Sequence, residues 1–274
     1  GLLLAVASAN AAVFRVGADA ACDFSAIAPA LDLAAATPGA DTIRIARNGS
    51  YVAQALHIVD SADLTLVGGR ERCDQSGSDA SVRPRLDGAG NGGASVVRIQ
   101  AGPVARINLD LLDIRNGDAL RGGGIHIESA LRVTLRSTTL RDNRAVEGGA
   151  IYFGSAQAGR ELEIQGSCEL SSNQAERGGA LYADGGNTSI YNLTATASMG
   201  LFHDNQAQQH GGAIYFGAGA TALLQSAGMS NNQATLDGGA IYLHNAALIR
   251  LSTTSAAALE LLDNRAGRHG GALH

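Results

Sequence analysis

Three cysteines, at positions 22, 73 and 168, are the most reactive side chains in the sequence, and no Cys-x-x-Cys or Cys/His cluster surrounds them that could hold zinc. Cys22 and Cys73 flank a predicted cap helix and the first predicted strands, so in an oxidising compartment a Cys22–Cys73 bridge would tie cap to body. Cys168 shares its alternation with Leu162, Ile164 and Leu170, which reads as an inward, buried thiol and not a nucleophile. Asp142, Asp204 and Asp263 each precede an asparagine, but Ser172 and Asn231 hold the equivalent positions in between. In a stack of repeats those carboxylates stand about 10 Å apart, too far for one calcium to bridge. Tyr152, Tyr182, Tyr215 and Tyr242, with His126, recur at one place in a repeat and are the candidate binding residues. Such rings stack on sugars or form a protein-contact stripe; the competing reading is a ladder that stabilises itself by stacking from coil to coil. Arg121, Glu147, Arg177, His210, Asp237 and His269, each just ahead of a glycine pair, mix signs and read as solvated turns. No catalytic residue, metal site or cofactor motif is assigned.

Composition limits what can position these groups. The 274 residues include 20 arginines and no lysine against 25 acidic residues, a net charge of -5 that argues against a basic nucleic-acid face. Only 16% of residues are charged and 4% aromatic, while 36 are glycine. Glycine at that density breaks helices repeatedly, so helical bundles are excluded and a thin, turn-rich β structure remains.

One unit recurs: an apolar residue, two polar residues, Asn, a short polar run, then Gly-Gly-Ala-aliphatic-aromatic. Its copies are Leu140 to Asn143 with Gly148 to Tyr152, Leu170 to Asn173 with Gly178 to Tyr182, and Phe202 to Asn205 with Gly211 to Tyr215. Met229 to Asn232 with Gly238 to Tyr242, and Leu261 to Asn264 with Gly270 to His274, complete the series. A weaker copy has Asn116 with Gly122 to His126, and Asp113 where the apolar residue belongs. The first glycines stand at 122, 148, 178, 211, 238 and 270, about 30 residues per repeat. The distance from Asn to Gly is five or six residues throughout, whereas the rest varies, as stacked corners with free outer loops require.

Short β-rich runs such as Leu131 to Leu135 and Leu248 to Leu251 fit two or three strands per coil. The expected fold is all-β: a right-handed parallel β-helix, or solenoid, with a short N-terminal capping helix. Asn143, Asn173, Asn205, Asn232 and Asn264 should form a hydrogen-bonded ladder, each tolerating a left-handed turn. Parity puts Ile125/Ile127, Ile151/Phe153, Leu181/Ala183, Ile214/Phe216 and Ile241/Leu243 inside, and His126, the four tyrosines and His274 outside in one column.

Residues 1–11 read as the remnant of a signal peptide, with Ala9-Asn-Ala11 as its cleavage triplet, too short to span a bilayer. Residues 12–39 read as the cap, with a helix from Ser25 to Ala36 started by Asp23 or Ser25, and 40–274 as β-helix with repeats from about 110. The chain stops inside a repeat, so a longer natural protein is expected.

The Phe-x-x-Asn and Gly-Gly-Ala-Ile motifs resemble the repeats of chlamydial-type polymorphic outer-membrane proteins, whose passenger regions are similar in architecture to autotransporter adhesins. Phe202-His-Asp-Asn205 carries the first motif in full, Leu or Met replaces the Phe elsewhere, and the resemblance covers roughly 110–274. The opening of the chain resembles pectin-lyase-like β-helices. The resemblance implies an exported protein at the cell surface, in the outer membrane or outside the cell, with an adhesin-like role. Extracellular glycans or proteins of host or neighbouring cells are then the partners. The alternative is a polysaccharide lyase or hydrolase of the same fold. Against it, the Asn-Thr-Asp, Asp-Asp, Gly-His-Gly and Arg-x-Lys motifs shared by pectin-degrading hydrolases are missing from the sequence.

Overall fold

Glycine pairs recurring in every repeat cut the chain into short strands, and a short strand satisfies its backbone only against the strand of the next repeat. The structure, a computed structural model, describes residues 11–60, 62–154, 159–191, 201–225, 227–245, 247–252 and 260–274. The expected leader remnant, up to residue 10, lies outside the described residues. The described residues wind into a right-handed parallel β-solenoid of about 8 turns. Four parallel sheets run along it. The long sheet has nine strands, from Val13–Val16 to Leu248–Ser252, and the second sheet has seven, from Arg85–Asp87 to Glu260–Leu262. The third has six, from Asp118–Arg121 to Arg265–Ala266, and the fourth seven, from Leu56–Ile58 to Ile241–Leu243. One coil therefore reads Arg132–Arg136, Thr139–Arg141, Arg144–Glu147 and Ile151–Gly154, which corrects the expected two or three strands to four. The extra strand escaped the sequence because segments such as Gln174–Arg177 hold one alanine among polar residues, with no apolar alternation to reveal them.

Like stacks on like in the interior. Leu140, Leu170, Phe202 and Met229 are fully buried and in register, as are Ile151, Leu181, Ile214 and Ile241. Phe153, Ala183 and Phe216 follow one another large, small, large, which lets neighbouring coils interdigitate in a narrow core.

The corner between the second and third sheets is built on asparagine. The amide of Asn173 donates from Nδ2 to Asn205 Oδ1 (3.0 Å) and to Leu140 O (3.0 Å), and its backbone N–H donates to the same Asn205 oxygen (3.0 Å). Asn143, Asn205 and Asn232 repeat this pattern one coil apart, and Asn264 takes the last bonds from Asn232. The left-handed conformation belongs to the residue before each rung: Asp142, Ser172, Asp204, Asn231 and Asp263 have φ between 51° and 56°. That corrects the expectation for the asparagines themselves. In the weaker copy Asn116 has φ 56° and stands one place before the rung, since it is Gly117 whose N–H donates to Asn143 Oδ1. The apolar residue of that copy is Ile114, paired with Leu140, so Asp113 is not a substitute for it.

At the N-terminal end, helix Ile27–Ala36 buries Ile27, Ala30, Leu31 and Ala34 over the open interior. Its N-cap is Ala26 with no side-chain cap bond; neither Asp23 nor Ser25 caps it, because Asp23 is drawn into an ion pair with Arg15 (3.0 Å). Strand Val13–Val16 joins the long sheet beside Asp41–Ala46, so this segment also extends the sheet. Cys22 and Cys73 form a disulfide across a separation of 51 residues. Closing such a loop stabilises by about 4 kcal/mol through the entropy of the unfolded chain. Reduction is expected to release the cap first, seen as a new low-temperature transition ahead of the main β-sheet melt in circular dichroism. A single unshifted transition would show that the bridge does not constrain the cap.

Candidate functional site

The residue two places after the Gly-Gly pair's alanine is forced outward by strand alternation, and the fourth sheet keeps every copy in register. His126, Tyr152, Tyr182, Tyr215 and Tyr242 thus lie in one column, with Arg98 and His57 extending it towards the N-terminus. Successive tyrosine rings stack at 5.5, 4.7 and 5.1 Å with interplanar angles of 10°, 4° and 19°. His126 meets Tyr152 edge-on (5.2 Å), and His274 continues the stack from Tyr242 (5.4 Å). Although they point away from the core, Tyr152, Tyr182 and Tyr215 are only 5%, 6% and 4% exposed. Their faces are occupied by one another. Burial accordingly pushes the phenol of Tyr182 well above its ordinary range.

The cover over this column comes from residues that the sequence suggested were solvated turns. Arg121, Glu147, Arg177, His210, Asp237 and His269 pair in register as a second column beside the tyrosines. Arg121 donates to Glu147 Oε2 (3.0 Å), and Arg177 bonds the other Glu147 oxygen. The Arg121 guanidinium sits 4.9 Å above the Tyr152 ring, and that of Arg177 lies 5.2 Å and 5.6 Å from Tyr182 and Tyr215. Further along, Asp237 accepts from Arg268 (2.5 Å) and His269 (2.9 Å) and lies 3.2 Å from His210. Burial would raise the Asp237 carboxyl, but those hydrogen bonds outweigh it and hold it at about 2. The glycine corner fixes the phase of the residue before it, and aligning the sequence on Gly-Gly exposes the near-alternation of sign.

Where the two columns meet the N-terminal coils, a cleft of about 490 Å³ is lined by Arg121, His126, Glu128, Tyr152 and Asp184. Burial lowers the His126 imidazole, helped by Arg98 and Arg121, despite Glu128 at 3.7 Å. The Glu128 carboxyl is lowered by its hydrogen bond from Arg98 (2.6 Å). On the third sheet a longer groove of about 700 Å³ runs over several coils, past Asp118, Arg144, Gln174, Gln206 and Gln233.

Two buried groups complete the inventory. Cys168 is a free thiol 6% exposed, with its sulfur 3.4 Å from the Thr138 N–H and its ionisation pushed up to about 11 by burial. His203, inside the Phe-x-x-Asn segment, has Nε2 3.3 Å from Glu169 and Nδ1 2.8 Å from Asp204. The Glu169 hydrogen bond leads the contributions that raise the imidazole above 6.5. The folded protein thus holds this proton at pH values where the unfolded chain has released it. The stabilisation is full below about 6.5 and disappears as pH climbs through the higher folded value. Wild type should therefore melt above His203→Gln at about pH 5.5, with the gap narrowing as pH rises past 6.5 and through the raised folded value. A gap independent of pH would assign the effect of His203 to packing alone.

Asparagine rungs, glycine corners and four parallel sheets define a β-solenoid assembled from one tandem repeat. Two stretches, residues 200–217 and 229–244, match the Chlamydia polymorphic membrane protein repeat. Comparison with curated proteins and with solved structures returns no match. The matched stretches cover Phe202 to Asn205 with Gly211 to Phe216, and Met229 to Asn232 with Gly238 to Leu243. Between them lies long-sheet strand Thr221–Gln225, so the family signature is carried by the ladder and the glycine corner. Among the described residues no helix is long and apolar enough to cross a membrane.

Proposed function

We propose that this chain is an exported β-solenoid, displayed at the cell surface or outer membrane or released outside the cell, that works as an adhesin-like interaction module. One observation carries the reading: side chains of the same kind recur in register over successive coils, giving an extended periodic face in place of a single convergent pocket. The surface character of the polymorphic membrane protein repeat and the Cys22–Cys73 disulfide support export. The tyrosine column acts in this reading as a buttress, since its ring faces are spent on each other. Partners are extracellular glycans or surface proteins of host or neighbouring cells. The experiment is retention of the folded chain on cells and on an immobilised glycan panel. Absence of retention on every surface would reject the reading.

The cleft holding a half-buried His126 beside Glu128, with the imidazole lowered by desolvation, favours a second reading, a carbohydrate-active enzyme. Turnover of uronic-acid polysaccharides that is abolished in His126→Ala would promote it.

A further inference from the structure

The third sheet presents a row of side chains that the fold itself does not use. Asp118, Arg144, Gln174, Gln206, Gln233 and Arg265 stand in register, all exposed, one per coil. Beside them Ala145, Ala175, Ala207 and Ala234 are 8%, 4%, 4% and 1% exposed and leave the groove shallow and even. Among the described residues the side-chain amides of Gln174, Gln206 and Gln233 bond to no other group of the protein. The backbone beneath them is spent on the coils: the N–H groups of Gln174, Gln206 and Gln233 donate to Asn143, Asn173 and Asn205, each at 2.9 Å.

We infer that this groove binds a linear, uncharged polysaccharide laid along the solenoid axis; the assignment rests on the interaction-module reading and names its ligand class. Three arguments select that occupant. A primary amide both donates and accepts, which matches hydroxyl groups better than it matches any single charged group. The amides repeat at about 4.8 Å, so the ligand is best served by a polymer of identical units, whereas a peptide needs distinct pockets for its distinct side chains. With the backbone groups at the row already paired, a peptide also gains no strand addition there. Charge disfavours a polyanion, because Asp118 and Glu176 offset Arg144 and the row's terminal Arg265, leaving the face no net positive charge.

The test titrates the folded chain with cellohexaose, xylohexaose and mannohexaose, with hexagalacturonic acid and an extended serine-rich peptide as comparisons. At least one neutral hexasaccharide is expected to bind saturably, and the double variant Gln206→Ala, Gln233→Ala to bind it about tenfold more weakly with its melting temperature unchanged. Preference for hexagalacturonic acid or the peptide overturns the ligand class. Neutral-sugar binding that ignores the double variant overturns the groove. Cell retention without affinity for any neutral hexasaccharide overturns this inference and leaves the interaction module standing, whereas loss of all retention removes both.

Discussion

Substituting alanine for Asn205 is expected to lower stability by about 4 kcal/mol, a large share of the 5–15 kcal/mol typical of a domain. The side chain accepts from the backbone N–H and the Nδ2 of Asn173 through one oxygen, and donates to Leu170 O (2.9 Å) and Asn232 Oδ1 (3.0 Å). Asn205 and both neighbouring rungs are 0% exposed, so water cannot replace what is lost. Asn173 is left with two unanswered donors and Leu170 loses the amide that met its carbonyl, each costing about 1–3 kcal/mol. Asn205→Asp should be no milder: it keeps the acceptor but turns a carboxylate towards two oxygens that had received N–H groups. Asn264→Ala is expected to cost about 1 kcal/mol, because that rung is half-exposed and solvent can take over its bonds. Urea titrations of the three variants check the order. Equal losses at Asn205 and Asn264 would show that the ladder contributes only through local turn preference.

Gly179→Ala should be worse still, about 5 kcal/mol or outright failure to fold. Its added Cβ would lie 2.2 Å from Gly212 O, 2.7 Å from Gln206 O and 2.8 Å from Gln206 C. All three are backbone atoms of the next coil, so no side chain can swing aside, and relief demands that two coils move apart at the corner. Parting them stretches the parallel bonds of Gly178 and Gly179 to His210 and Gly211 (3.0 and 3.1 Å). Gly77→Ala is the matched control: nothing lies within 4 Å of its added Cβ, and a change within about 0.5 kcal/mol is expected. Soluble expression and thermal melts of the two variants decide the matter. A Gly179→Ala protein melting like wild type would mean that the corner is looser than its backbone distances require.

The face of each fourth-sheet residue was legible because Gly-Gly-Ala sets the phase, and a period of two then separates Ile151 and Phe153 from Tyr152 without further information. The third sheet was not, since Arg144–Glu147 and its relatives lack the apolar alternation that betrays a strand. The register of the first copy slipped by one residue because Asn116 has the right type for a rung, while the rung position is held by Gly117, which has no side chain to show. For the candidate site, the tyrosine column could be read from spacing, but its closure could not. Whether an outward ring is bare depends on Arg121 and Arg177 arriving from a neighbouring strand, and pairing between sheets is invisible to a one-dimensional pattern. The helix start failed for a related reason: Asp23 had a competing partner in Arg15, and long-range pairing overrode local capping preference.

Every rung of the asparagine ladder offers the next one the same oxygen and the same amide, so a rung does not register which coil it belongs to. Residue 206 follows Asn205 as residue 174 follows Asn173, a glutamine in both cases, and the joint at this corner would be chemically seamless if one whole turn were excised or duplicated. The height of the column is thus a quantity that genetic recombination can adjust in whole-turn steps without redesigning the asparagine corner. A solenoid built this way can change its length by copying a cassette, while the surface chemistry of each storey drifts independently.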